Sequence, residues 1–329
     1  MHIAEYLPAQ PNLLWTWMRQ VGVRHVVAPL PYHAADQDRP WEYLPLKRMV
    51  QGFEEAGFEV AAIESSPPMQ KTRLGLPGRD EEIEWFCTLI RNMGALHIPV
   101  LCYNWMAIFG WTRTHTGLAG RGGALVTGYD HATFEREPLT EFGIVPEEQL
   151  WQSLQYFLAR VVPVAEKHGV RLAMHPDDPP ISPMRGIARI MRSEENFQRL
   201  IDLVPSPSNG ITLCQGNFAL FSRDLPSTIR QFGRKGVIHF VHMRDVLGTP
   251  DHFVEVFHDE GPTDLADCMR AYKEVDFQGP MRPDHVPTLA GDSNENPSYS
   301  LTARLHAIGY LQGLRDAVYG RAQQREEPA

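Results

Sequence analysis

Four short stretches in the second half of the chain restrict its fold more than any other feature: Arg171-Leu-Ala-Met-His175, Ile211-Thr-Leu-Cys214, Ile238-His-Phe-Val-His242-Met-Arg244 and Met281-Arg-Pro-Asp284-His285. Each begins as an apolar run of strand type and ends in a side chain that can ligate a metal. Strand residues alternate between faces, so His175 shares a face with Ala173 and Arg171, Cys214 with Thr212, His242 with Phe240 and Arg244, and Asp284 with Arg282. Neighbouring parallel strands about 4.8 Å apart would bring their carboxyl ends to one point. The expected result is a single metal site made of His175, Cys214, His242 and Asp284.

The same unit repeats along the whole chain. Strand-like runs at 2–7, 25–31, 58–64 and 98–104 precede the four above, and helical patterns lie at 11–21, 43–56, 80–94, 147–168, 193–203, 224–234, 262–274 and 299–318. Eight strands alternating with eight helices predict an α/β chain closed into a (β/α)8 TIM barrel. A doubly wound open sheet is the rival, weakened by the regular repeats and by the lack of a Gly-rich first turn. The 329 residues fit one barrel of about 250 residues plus insertions, a catalytic domain over 1–320 with a polar tail at 321–329. Gly57, Gly94, Gly169 and Gly279 each follow a helical pattern, where left-handed backbone is expected. Ser193 ahead of Glu194 and Glu195 marks a helix start.

A formal net charge of -9 without any Lys/Arg cluster excludes a nucleic-acid surface. No apolar stretch approaches the roughly 18 residues of a membrane span, and the amino end reads as a strand rather than a secretion signal. Cys87, Cys102, Cys214 and Cys268 have no CxxC spacing, so reduced thiols in a cytoplasmic protein are expected, three of them structural. The oligomeric state is left open, with a homodimer as one option.

Long connections at the carboxyl ends of strands are expected to build the site. The segment 105–146, with Trp111-Thr-Arg113-Thr-His115, reads as a lid; 65–79, with Lys71 and Arg73, and 286–297 are further site loops. Arg113 and Arg244 among these cations suggest an anionic substrate, a carboxylate rather than a neutral sugar. Asn104 and Glu64, at the inward ends of their strands, are further candidates for substrate contact. Each reading has a plainer rival. A His at a strand end is more often hydrogen-bonded core than ligand, Cys214 alone would be a small buried hydrophobe, and Arg244 has Asp245 beside it as an alternative partner. The coincidence of four strand ends favours the metal site. His239 points opposite to His242 and is read as structural, as are His97 and His168 ahead of strands.

The stretches Cys102-Tyr-Asn-Trp-Met, Trp111-Thr-Arg-Thr114, His175-Pro-Asp-Asp-Pro-Pro180, Cys214-Gln-Gly, His239-Phe-Val-His-Met-Arg244, Arg282-Pro-Asp-His285 and Ile308-Gly-Tyr-Leu-Gln-Gly313 resemble the D-mannonate dehydratases of hexuronate breakdown over nearly the whole chain. The resemblance implies a xylose-isomerase-like barrel holding manganese or ferrous iron through His175, Cys214, His242 and Asp284, the same four residues that strand parity selects. It also implies loss of water across C2 and C3 of a sugar acid, D-mannonate giving 2-keto-3-deoxy-D-gluconate, with His285 and Tyr299 as the proton-transfer pair in either order. Gly110, Gln215 and Asp245 depart from the family pattern and leave the metal positions unchanged.

Other readings make different use of the same residues. An aldose-ketose isomerase or epimerase would keep the barrel, although such sites hold their metals with Glu and Asp rather than with a Cys and a His pair. A phosphodiesterase barrel conflicts with the charge balance. A non-catalytic metal protein would bind metal without turning over a sugar acid. By donor chemistry alone, Cys214 with two imidazoles suits iron, manganese, cobalt or zinc.

Overall fold

A computed structural model describes residues 1–32 and 39–320, so the expected polar tail at 321–329 lies outside the described residues. Twelve strands are present among them. In chain order they are β1 (His2–Tyr6), β2 (His25–Ala28), β3 (Glu59–Glu64), β4 (Val100–Asn104), β5 (His115–Ala119), β6 (Leu125–Asp130), β7 (Arg171–His175), β8 (Asn209–Cys214), β9 (Ile238–Met243), β10 (Val246–Thr249), β11 (His252–Glu255) and β12 (Pro280–Pro283). Strands β1, β2, β3, β4, β7, β8, β9 and β12 close into a barrel in that order. Every pairing in it is parallel. The (β/α)8 expectation and all eight barrel strands are therefore present.

Strand alternation sorts the side chains into two cores. Small inward residues, Ala4, Val27, Ala62, Val100, Cys102 and Ala173, fill the barrel around Phe240. The opposite faces of the strands pack under the helices, where apolar residues recur every three or four positions. In the helix Glu147–His168, Leu150, Leu154, Phe157, Leu158, Val161 and Ala165 are buried. Each large side chain there contributes about 1.5–3 kcal/mol through removal from water. That helix ends at Gly169, whose φ of 67° puts it in the left-handed region glycine occupies at least cost.

Two glycines behave differently from expectation. Gly94 lies inside the helix Arg79–Ala95, and a Cβ there would stand 2.5 Å from the carbonyl oxygen of His168. It is a close-approach glycine, and the left-handed residue past this helix is His97, with φ 57°. Gly279 is likewise a contact position, since its Cβ would sit 2.8 Å from the Phe277 ring.

The expected lid is more ordered than a loop. Strands β5 and β6, from the connection after β4, join β10 and β11, from the connection after β9, in a four-stranded antiparallel sheet of order β10-β11-β6-β5. The β6–β11 pairing ties the two connections together over the mouth of the barrel. The segment 65–79 also contains the short helix Gln70–Leu74, and another follows Cys214 at Gln215–Phe221.

Candidate metal centre and active site

Register explains why the four candidate ligands meet. Cys214 on β8 is level with His242 on β9, and His242 with Arg282 on β12. Asn104 on β4 is level with His175 on β7. Asp284 follows β12 directly. One donor atom from each of His175, Cys214, His242 and Asp284 falls within 4.8 Å of the other three. His175 Nε2 lies 3.2 Å from His242 Nδ1, Cys214 Sγ 3.7 Å from Asp284 Oδ2, and His242 Nδ1 3.6 Å from the same oxygen.

The electrostatics of the cluster suit a cation. Burial and Arg282 work against a charged His242, yet Glu64 and Asp284 outweigh them and raise its pKa to about 10. A position that stabilises an imidazolium so strongly stabilises a metal ion by the same field. Burial and the neighbouring His242 lower His175 to about 4, leaving it the neutral imidazole that ligation needs. Four carboxylates, Glu64, Asp178, Glu255 and Asp284, interlock with three guanidiniums, Arg113, Arg244 and Arg282. The carboxylates exceed the guanidiniums by one negative charge, which a cation at the donors would offset.

Arg113 and Arg244, expected to meet a substrate carboxylate, stand behind the cavity wall. Arg113 binds both oxygens of Asp178, at 2.5 and 3.0 Å, and Glu255 at 2.5 Å. Arg244 reaches Asp178 at 2.8 Å, Glu255 at 3.0 Å and Asp284 at 3.4 Å. Two arginines and two carboxylates thus close a buried ring in which each desolvated charge faces opposite charge. Asp245 is not the partner of Arg244; it accepts from Thr263 N and Oγ1, each at 2.8 Å. Arg73 donates to Asn104 Oδ1 at 3.0 Å, while Lys71 packs beside Gly78, away from the donors.

A cavity of about 220 Å³ adjoins the cluster, lined among others by Glu64, Asn104, Trp111, His175, Asp284 and His285. Its size lies below the roughly 300–1,000 Å³ of drug-sized sites, and the polar wall suits a small hydrophilic molecule. Tyr299, Arg282, Asp178, Ser65 and Ser66 also line it. His285 donates or accepts at Nδ1 with Glu255 at 2.9 Å, and its ring meets Trp111 and Tyr299 edge-on at 5.1 and 5.5 Å. The Tyr299 hydroxyl lies 3.5 Å from Asp284 Oδ1. Glu64 binds Arg282 through both oxygens, at 2.8 and 2.7 Å. Gly110, Gln215 and Asp245 do not line the cavity.

Sequence reasoning missed Arg282, Asp178 and Glu255 as parts of the site. Parity could have found Arg282, two residues before Asp284 on the same face. Asp178, three residues past His175, could have been placed by the strand-end rule. Nothing near Glu255 in the sequence announces it. The plainer readings hold elsewhere: His239 is buried with Nδ1 2.7 Å from the Leu172 carbonyl, and Cys87 and Cys268 are buried away from the donors. Cys102 faces into the barrel, grouped with Glu64 and His242.

A parallel barrel with a charged, buried cavity at the carboxyl ends of its strands is an enzyme architecture. Its frame resembles that of an L-ribulose 3-epimerase, with TM-score 0.61 and 14% identity over all of both chains, which speaks to the fold alone. The family model for D-mannonate dehydratase (UxuA) matches residues 4–142 and 135–325. A mannonate dehydratase of Thermotoga neapolitana is 35% identical over 313 residues, 84% of this chain and 86% of that one. That of Thermotoga maritima is 34% identical over the same shares. The crystal structure of the mannonate dehydratase from Streptococcus suis serotype 2 superposes with TM-score 0.87 at 30% identity, covering 100% of this chain and 96% of that one. The chain belongs to the D-mannonate dehydratase family.

Proposed function

We propose that the protein is a metal-dependent hydro-lyase that removes water across C2 and C3 of D-mannonate, giving 2-keto-3-deoxy-D-gluconate. The observation that carries the reading is a four-donor cluster beside one small cavity that His285 and Tyr299 also line. His175, Cys214, His242 and Asp284 hold the metal, Mn2+ or Fe2+. When bound, the ion supplies a Lewis acid that stabilises negative charge on substrate oxygens as the proton next to the carboxylate leaves.

The protein's own residues do the rest. An ordinary phenol titrates near pH 10, and burial beside Asp284 pushes Tyr299 higher. Tyr299 therefore holds its proton at neutral pH and serves as the acid that protonates the departing C3 hydroxyl. His285, whose Nδ1 faces Glu255, turns Nε2 to the cavity and takes the C2 proton. Asn104 Oδ1 is taken by Arg73 and by the Met106 amide, which leaves its NH2 to orient substrate hydroxyls. Arg282 and Glu64 line the cavity as one pair, and the Arg282 guanidinium is the cation nearest to a bound carboxylate. Arg113 and Arg244 act through Asp178 and Glu255. The four buried free cysteines favour a reducing compartment, the cytoplasm.

The test is a screen of sugar acids and neutral ketoses with purified protein supplied separately with Mn2+ and Fe2+, scored for 2-keto acid. Formation from mannonate with either ion is expected. Turnover of a ketose without 2-keto acid formation would make the protein an isomerase or epimerase instead.

A further inference from the structure

We infer that Glu255, delivered by the accessory sheet rather than the barrel, is a positioning residue that fixes the tautomer and direction of the His285 ring. The inference deepens the dehydratase reading and rests on it for the reaction His285 serves.

Geometry leaves His285 little freedom. Its Nδ1 is 2.9 Å from Glu255 Oε1, and the rings of Trp111 and Tyr299 meet it edge-on. Glu255 is itself held at both oxygens. Arg113 Nη2 shares Oε1 at 2.5 Å, and Arg244 Nε stands 3.0 Å from Oε2, a charge contact too bent to count as an aligned hydrogen bond. Flanked by two guanidiniums, Glu255 stays a carboxylate: burial works against its charge, and Arg244 and Arg113 hold its pKa below the ordinary carboxylate value. An ionised carboxylate can only accept. The proton between the two groups therefore sits on His285 Nδ1, so that Nε2, 3.7 Å from Asp284 Oδ1, is the ring nitrogen left to exchange a proton with substrate.

The source of Glu255 matters as much as its contact. Strand β11 pairs with β6, whose own connection brings in Trp111 and Arg113. The lid sheet thus sets both the ring partner and the carboxylate of His285. A mispaired lid would misdirect the base without touching the barrel.

Two substitutions separate positioning from charge balance, since both remove the charge and only one keeps an acceptor. In Glu255→Gln the amide oxygen belongs at the Oε1 position, where two donors, Arg113 and His285, point at it; the amide NH2 then faces only the bent contact with Arg244. Glu255→Met has no acceptor. With the Mn2+ enzyme and mannonate, Glu255→Met is expected to lose about a hundredfold in kcat with KM within about threefold. Glu255→Gln should recover at least about tenfold of that loss. The second readout is the 15N spectrum of histidine-labelled, zinc-loaded protein, with His285 assigned by its absence in His285→Asn. Wild type and Glu255→Gln should show a protonated Nδ1, and Glu255→Met a shift toward protonated Nε2. Equal rates for Gln and Met, a Met variant within threefold of wild type, or an unchanged tautomer in Met would each overturn the assignment. If Met does not fold, Glu255→Asp keeps the charge for both arginines while withdrawing the acceptor from Nδ1, and its tautomer and kcat decide in the same way. Failure of the wild type to dehydrate any sugar acid would refute the proposed reaction alone, because the tautomer comparison stands without turnover.

Discussion

His242 Nε2 lies 3.3 Å from Glu64 Oε2, on the side of the ring opposite the Nδ1 that faces Asp284. A carboxylate behind a ligating imidazole fixes the ring and raises its basicity as a ligand. In the proposed metal site Glu64 would therefore act on the metal through His242 as well as line the cavity.

Glu64→Gln is expected to weaken metal binding about 10- to 100-fold, the usual effect of removing such a partner, while the fold is retained. Competition with a chelator of known affinity measures it. An unchanged metal affinity combined with a raised KM would assign Glu64 to the substrate instead.

Gly94→Ala should destabilise the fold, because a Cβ would stand 2.5 Å from the backbone oxygen of His168 and 2.8 Å from its Cβ. Backbone at the end of a packed helix cannot move aside as a flexible side chain would. The cost of overpacking is about 1–3 kcal/mol, a drop in Tm of roughly 2–4 °C per kcal/mol for a chain of this size. Thermal melting checks it, and an unchanged Tm would mean that the two helices are not so closely packed.

Gly94 also marks where sequence reading stopped. A glycine near the end of a helical pattern reads as a cap, whereas its real reason is a neighbour 74 residues later, His168, which no local pattern contains. The barrel was legible because each strand carries its own apolar run and each helix its own period. The four donors were legible because alternation and parallel pairing fix where a strand's last side chain points. The lid sheet was not. β5 is mostly exposed and β10 has only four residues, so neither has the alternation of a half-buried strand, and the β6–β11 pairing joins distant segments. Glu255 was lost with it.

Acid should weaken the fold first through its buried histidines. Burial lowers His239 from 6.5 to about 4, so between those values the unfolded chain binds a proton that the folded chain does not. Stability from this group is complete above about pH 6.5 and is lost as pH falls toward 4, by on the order of 3 kcal/mol. His239→Gln should flatten the dependence of Tm on pH across that window relative to wild type. A parallel pair of curves would show that His239 is not kept neutral in the native state.

On the proposed metal site, Cys214→Ser replaces a sulfur donor by a weaker hydroxyl one and is expected to lower both metal content and turnover. Cys87→Ser and Cys268→Ser, buried but remote from the cluster, should keep wild-type rates in the folded fraction. Metal analysis with rates per bound ion distinguishes the three. Full metal and full activity in Cys214→Ser would remove this thiol from the centre.

His285 and Tyr299 allow proton transfer to be separated from metal holding. His285 follows Asp284 in the chain, and its Nε2 is 3.7 Å from Asp284 Oδ1; the Tyr299 hydroxyl is 3.5 Å from that same oxygen. Both groups thus border the carboxylate, yet neither belongs to the set of four converging donors. His285→Asn keeps a polar side chain and Tyr299→Phe keeps the ring, so each removes the proton-carrying atom with little change in packing. Each variant is expected to retain the metal and the fold while turnover falls at least about a hundredfold, the lower end of an acid-base contribution. Bound metal measured beside steady-state rates decides the matter. Loss of metal from His285→Asn would make His285 a ligand and redraw the centre, and a retained rate in either variant would take that residue out of the chemistry.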